Sequence, residues 1–336
     1  NTAMNVHARV RYLALLASSV LSFSLLNAAD APAPDIPPRG PNPNPGARRG
    51  APEAGPGLER RMQQGPRRDW NEVERTTFLG VEVTLVDRHE RVLDFCDHEI
   101  VDELMHQMRQ KRVTFRLGET VQKIRGIDQP RGAAIDLESG KHIEVDAVLF
   151  SIGRVGATKQ LALDKAGIPS DDRGRIKVNE RFQTEVAHIS AAGDIIGPPW
   201  LAHVATFEAI QAVNAMFGHA HQGRVKVFPG CTYCQPQIAS TGLTEKACKE
   251  KGLAYKVGKF PFAASGKAVA AGDAEGFVKV ITDAATGEIL GAHILGNEAP
   301  ELIAEYVLAM NLEHSVEEIH HSIHAHPTLS EALAKA

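Results

Sequence analysis

The spacing of apolar and polar positions divides the chain into stretches of different texture. From Phe78 on, "FLGVEVTLVDRHERVLD" opens with Gly80, runs through a β-branched strand from Val81 to Val86 and stops at Asp87. In "DHEIVDELMHQMRQKR", Ile100, Val101, Leu104, Met105 and Met108 recur at helical spacing behind a candidate N-cap, Asp97, which predicts an amphipathic helix. "VTFRLGETVQKIRG", "AAIDLESG" and "HIEVDAVLFSIGRVG" predict strands, the last running into a turn at Gly153 and Arg154. In "GRIKVNERFQTEVAHISAAGDIIG" a buried strand is expected to lead into Ala-Gly-Asp. That would set Gly193 and Asp194 at a sheet edge, where backbone can approach a ligand closely.

From residue 228 the texture changes. "PFAASGKAVAAGDAEGFVKVITDAATGEILGAHILG" predicts short strands with Gly turns, and "APELIAEYVLAMNLE" and "SVEEIHHSIH" predict helices after them. Strands followed by helices indicate an α+β domain rather than a continuation of a nucleotide-binding sheet.

The beginning of the chain reads differently. Arg9 and Arg11 precede "YLALLASSVLSFSLL", an apolar run of signal-peptide length that is short for a membrane span, so residues 1–29 read as a signal-like segment or as an amphipathic N-terminus. Ten of the nineteen prolines then fall between Pro32 and Pro66. Such a stretch buries too little apolar surface to offset its ordering entropy, and residues 30–77 are expected to be a Pro/Gly/Arg-rich linker without catalytic groups.

With 336 residues, 43% hydrophobic, the chain holds material for about two globular domains and a tail. A net charge of −4 gives no field that argues for nucleic acid or an anionic membrane as partner. The four cysteines, Cys96, Cys231, Cys234 and Cys248, are too few for a disulfide scaffold and spaced unlike a four-cysteine zinc site. Cys231 and Cys234 form one CxxC, which fits a redox pair, half of a metal site or two incidental thiols, and no metal or redox role is assigned to it.

Asp87 at the C-terminal end of a strand can accept hydrogen bonds from both ribose hydroxyls of an adenosine, which favours NAD over NADP, or it can simply start a turn. His320, His321, His324 and His326 crowd into seven residues, a pattern open to a metal cluster, a solvated helix end or catalysis.

Taken together, "GVEVTLVD", "SIGRVGAT", "AAGDIIGPPWLAH", "YCQPQIASTGLTEKACKEKG", "KFPFAASGKAVA", "GFVKVITDAATGEILGAHILG" and "HAHPTLSEAL" resemble the FAD-dependent pyridine nucleotide-disulfide oxidoreductases from Phe78 to the end. Within that family the chain looks like the dihydrolipoyl dehydrogenases. The resemblance implies an α/β fold, with partial FAD- and NAD-linked reductase nucleotide-binding domains followed by an α+β dimerisation domain. It divides the chain into a truncated NAD-binding domain (78–154), a central FAD-contacting segment (155–225) and an interface domain (226–336).

The same resemblance implies roles by position. His326 would be the base taking a proton from a dihydrolipoamide thiol, with Glu331 holding and polarising its imidazole. Asp87 would bind the adenosine ribose of NAD, with Val121 and Gly153 lining that pocket. Asp194 would hold the FAD ribityl or phosphate region, and Trp200, Leu201, Ala202 and His203 would pass beside the flavin. In the family the His reaches the other subunit's flavin site, so a homodimer is implied. The implied partners are the lipoyl domains of 2-oxo acid dehydrogenase or glycine cleavage complexes, and the implied location is cytoplasmic, whereas a signal-like N-terminus implies export.

Two family signatures are not found in these 336 residues: the GxGxxG of the FAD- and NAD-binding turns, and a redox-active CxxxxC. The first strand and helix of the NAD domain are therefore expected to be missing, and the chain is expected not to complete hydride and disulfide exchange by itself. A rearranged dihydrolipoyl dehydrogenase and a non-catalytic dimerisation module are the competing readings. A soluble pyridine nucleotide transhydrogenase is disfavoured by "HPTLSE", because it needs no thiol base.

Overall fold

The computed structural model describes residues 11–16, 82–128 and 131–336. Its first part contains β1 (Arg11–Leu16), β2 (Glu82–Asp87), α1 (His98–Gln110), β3 (Val113–Leu117), β4 (Val121–Ile127), β5 (Gly132–Leu137), β6 (His142–Val145) and β7 (Ala147–Ser151). Four of these strands form a parallel sheet in the order β3-β2-β1-β7. β4, β5 and β6 form a separate antiparallel sheet, in which Ile135, Leu137 and Val145 pack with Val86 from the end of β2.

Helix α1 follows from its sequence. Asp97 caps it by accepting the backbone N–H of Glu99 at 3.2 Å. Ile100, Val101, Leu104 and Met105 line its buried face and pack with Val83 and Leu85 of β2. Each such side chain contributes roughly 1.5–3 kcal/mol of hydrophobic stabilisation.

After β7 come α2 (Ala202–Met216), β8 (Gly230–Thr232), β9 (Ile238–Gly242), α3 (Glu245–Glu250), β10 (Tyr255–Pro261), α4 (Gly266–Ala271), β11 (Phe277–Asp283), β12 (Ile289–Leu295), α5 (Ala299–Asn311) and α6 (Val316–His321). The strands form an antiparallel sheet in the order β10-β11-β12-β9-β8. Val278, Val280, Ala292 and Ile294 pack with Ile303 and Tyr306 of α5 in one core. Ile238 and Leu295 share a second core with α1, so the sheet is covered on both faces and joins the two halves of the chain. Among the described residues no helix is long and apolar enough to cross a membrane.

Two expectations are corrected. The first strand of the parallel sheet is not missing: Arg11–Leu16 fills the inner place, pairing with Glu82–Val86 on one side and with Ala147–Ser151 on the other. Five of these six residues, Tyr12 to Leu16, open the apolar run read as signal-like. A short apolar run satisfies a signal peptide and a strand buried in a parallel sheet equally well, and only the pairing separates them. The rest of the signal-like segment and the linker at 30–77 lie outside the described residues.

The strand expected ahead of Ala-Gly-Asp does not form either. Residues 170–190 contribute only isolated bridges, Ser170 with Ile176 and Gln183 with Ser190. Asn179 Oδ1 accepts the backbone N–H groups of Arg181 and Gln183 at 2.9 and 3.1 Å, offering that backbone an alternative to a ladder, and Phe182 sits at φ +62°. Gly193 and Asp194 consequently lie in a 3₁₀ turn, Gly193–Ile196, packed on α2 rather than at a sheet edge.

Candidate active site

The C-terminal turn carries a histidine–carboxylate pair. The tail is pinned to the core at Ala332 and Leu333, and the buried Tyr306 hydroxyl donates to the Leu333 carbonyl at 2.9 Å. Just before this anchor a 3₁₀ turn, Ser330–Ala332, presents Glu331. His326 Nδ1–H donates to Glu331 Oε1 at 3.0 Å, and Thr328 N–H donates to Glu331 Oε2 at 3.0 Å. The hydrogen bond from His326, and after it the Thr328 amide, hold the Glu331 carboxyl below its ordinary range.

The His326 side chain is 79% exposed whereas Glu331 is 20% exposed, so the acid is seated and the imidazole projects from it. Bonding at Nδ1 fixes the tautomer in which Nε2 carries the lone pair. That arrangement can take a proton from an approaching thiol.

A second group lies where the parallel strands end. Asp87, the last residue of β2, is 2% exposed. Its Oδ1 accepts from the backbone N–H of His89 at 2.9 Å and from His89 Nδ1 at 2.8 Å, while Oδ2 is buried with no partner among the described residues. A buried acceptor without a donor calls for an explanation, and a sugar hydroxyl has the chemistry to satisfy it. The residues present therefore fit the ribose of a dinucleotide. Val121 opens β4 and packs with Val86 beside the acid. Gly153, at φ +121°, follows β7, whose C-terminal end lies on the same side of the parallel sheet as that of β2.

Elsewhere the 3₁₀ turn and α2 are locked together. Arg154 Nη1 lies 3.2 Å from Asp194 Oδ2, and its Nη2 donates to the Trp200 carbonyl at 3.0 Å. Leu201 precedes α2 without a side-chain cap, Ala202 begins it, and His203 Nε2 bonds the Pro229 carbonyl at 2.8 Å. The buried Glu208 accepts the Gly193 N–H at 3.0 Å. At φ +76°, with a side chain's Cβ falling 2.9 Å from Ala205 Cβ, position 193 requires glycine. Asp194 keeps a side-chain exposure of 41%, and its carboxylate can take hydrogen bonds from a polar ligand chain while paired with Arg154.

Among the expected residues the structure thus joins His326 with Glu331, and Asp194 with Trp200 through Arg154. No hydrogen bond links one group to the other among the described residues. Arg154, His89 and Glu208 were not singled out as site residues from sequence. Only Arg154, directly after Gly153 in "SIGR", carried a local signal.

The family model described as pyridine nucleotide-disulphide oxidoreductase matches residues 74–209, and the one described as the dimerisation domain of the same family matches residues 228–336. A dihydrolipoyl dehydrogenase of Rhizobium etli is 40% identical over 262 residues, covering 77% of this chain and 54% of the relative. The mitochondrial dihydrolipoyl dehydrogenase 2 of Arabidopsis thaliana is 41% identical over 266 residues, covering 77% and 52%. The chain therefore spans about half the length of the curated relatives it matches.

Among solved structures, the HOCl-induced flavoprotein disulfide reductase RclA of Escherichia coli superposes with a TM-score of 0.72 at 26% identity, over 76% of this chain and 58% of that one. LpdA of Mycobacterium tuberculosis shares the fold with a TM-score of 0.73 at 24% identity, over 80% of this chain and 58% of that one. With both family models matched in order along the chain, and relatives near 40% identity, the chain belongs to the pyridine nucleotide-disulphide oxidoreductases, a family that uses FAD and NAD, and is similar to its dihydrolipoyl dehydrogenases.

Proposed function

We propose that the chain carries the NAD-binding, flavin-contacting and dimerisation parts of a dihydrolipoyl dehydrogenase. The observation that carries this reading is the His326–Glu331 pair, with Nδ1 held by a seated carboxylate at 3.0 Å and the ring exposed. A thiol substrate needs a base with a lone pair within reach, and an imidazole whose Nδ1 is held by a carboxylate presents one at Nε2.

In this reading, bound FAD and NAD supply the two-electron exchange that oxidises dihydrolipoamide. The residues of the chain do the rest. Asp87 orients the NAD ribose, with Val121 and Gly153 beside it. Asp194, and the stretch Trp200, Leu201, Ala202 and His203, seat the flavin side, with Arg154 holding the two segments together. His326 takes the thiol proton at Nε2, and Glu331 stabilises the imidazolium that forms.

A homodimer in which each His326 serves the partner's flavin site extends the proposal, as does a cytoplasmic setting beside the lipoyl domains of 2-oxo acid dehydrogenase or glycine cleavage complexes. The 336 residues contain neither GxGxxG nor CxxxxC, so we propose that alone they do not complete the exchange. The test is a visible absorption spectrum of the purified chain together with an assay of dihydrolipoamide oxidation by NAD. The reading predicts no turnover from the chain itself. It also predicts turnover from a chimera in which residues 228–336 replace the matching region of the Rhizobium etli relative. A chimera that binds flavin and dimerises but does not turn over would overturn the role given to His326.

A further inference from the structure

We propose that His89 is a positioning residue that sets the preference of this site for NAD over NADP, by holding the Asp87 carboxylate so that one oxygen faces the ribose. The inference rests on the reading of Asp87 as the ribose acid and goes beyond it to a side chain that neither the sequence pattern nor the family match marks.

At the end of β2 two opposite charges stand next to each other, with Asp87 buried and Arg88 exposed. An exposed guanidinium attracts the 2′-phosphate that distinguishes NADP, and a fixed carboxylate repels it. Which of the two governs selection depends on where the carboxylate points. His89 settles this twice over, because its backbone N–H and its ring Nδ1 both bond Oδ1, at 2.9 and 2.8 Å.

The backbone of His89 is itself tied down, its carbonyl accepting the Gly118 N–H at 2.9 Å, and the Asp87 carbonyl accepts the Glu119 N–H at 3.0 Å. With Oδ1 saturated in this way, Oδ2 is left buried and without a donor among the described residues. A buried carboxylate oxygen is costly to leave unsatisfied, so the site gains most from a ligand that brings a hydroxyl. It gains nothing from one that brings a phosphate oxygen, which has no proton to donate and a charge of the same sign. The oxygen is covered in the chain as it stands, so a ribose reaches it by displacing the atoms above it.

The substitution His89→Ala removes the ring bond to Asp87 and leaves the backbone N–H to Oδ1 in place. His89→Asn restores a donor at the place of Nδ1, since the Asn amide nitrogen is the same number of bonds from Cα. The experiment is calorimetric titration of the 336-residue chain and both variants with NAD and, separately, with NADP, alongside their melting temperatures. The proposal expects the Ala variant to bind NAD about tenfold more weakly, the magnitude of one hydrogen bond to a charged group. Its NAD-over-NADP ratio should shrink by a similar factor, and the Asn variant should recover both with melting temperatures unchanged. An Ala variant that keeps the NAD affinity and the ratio of the parent overturns the role of His89 and leaves Asp87 standing. If the parent chain binds neither dinucleotide, the ribose reading fails and the proposal with it.

Discussion

Lys279 and Asp97, 182 positions apart in sequence, meet in the interior at 2.8 Å and tie the start of α1 to β11 of the C-terminal sheet. The ammonium is fully buried and also reaches Glu99 Oε2 at 3.0 Å and Glu245 Oε2 at 2.9 Å. Burial works against its charge, but the hydrogen bonds to Asp97, Glu245 and Glu99 more than offset that and push its pKa up. Asp97 is saturated as well: Oδ1 caps α1, and Oδ2 accepts the Glu245 N–H at 3.0 Å.

Lys279→Met should therefore be among the most damaging single substitutions in the chain. Removing the cation leaves carboxylates in the interior without their partner, a change that typically costs about 3–5 kcal/mol. Urea unfolding followed by circular dichroism measures it. The double variant Lys279→Met with Asp97→Asn should regain part of the loss, because Asn still caps the helix and brings no charge.

Glu245 gives this knot a pH signature. Hydrogen bonds from Lys279, Lys249 and Tyr255 lower its pKa from 4.5 to about 2. A carboxyl depressed in the folded state adds stability above its unfolded pKa and loses it as pH falls, so this contribution should fade between pH 4.5 and about 2. Asp97 and Glu99 are lowered too and push in the same direction. Stability measured at pH 7 and at about pH 3 should fall less in Glu245→Gln than in the parent.

The knot and the candidate site differ in how far sequence revealed them. β2 was legible because "VEVTLV" is β-branched and ends on an acid, and α1 because an Asp cap precedes a helical apolar stripe. His326 and Glu331 stood in one short motif. Lys279 did not stand out, because its three carboxylate partners lie 34 to 182 positions away and nothing local marks a lysine inside "GFVKVITD" as buried. Arg154 was seen only as part of a turn, since Trp200, whose carbonyl it binds, is 46 residues on.

The His326–Glu331 bond can be read without turnover. In a ¹³C NMR titration the Glu331 carboxyl should titrate below the ordinary glutamate range, and His326→Ala should move it upward by removing the leading cause of the depression. In the chimera described above, His326→Gln should cut dihydrolipoamide oxidation about 10²- to 10⁴-fold, the usual contribution of a positioned base.

Tyr306→Phe tests the anchor beneath that pair. Deleting the hydroxyl leaves the Leu333 carbonyl without its 2.9 Å donor and should cost about 1 kcal/mol. It should also loosen the turn carrying Glu331, so the Glu331 titration should drift toward the ordinary value while the core of α5 keeps its packing.

Ile210, Val213 and Phe217 form an exposed apolar stripe along α2, with Met216 beside it. Contiguous apolar surface of this kind promotes association. Val213→Lys should reduce light scattering of the purified chain at a given concentration while leaving its melting temperature nearly unchanged.

The place of β1 has a consequence for how the sheet is assembled. An inner strand taken from residues 11–16 must wait for β2, whose first residue is 66 positions after its last, and then for β7 to emerge before both of its edges are satisfied. During synthesis the earliest part of the sheet to leave the ribosome is thus the last to be sealed. Until then β1, once paired with β2, presents an open hydrogen-bonding edge on the side that β7 will take, and the growing chain is most exposed to pairing with a neighbour in that interval.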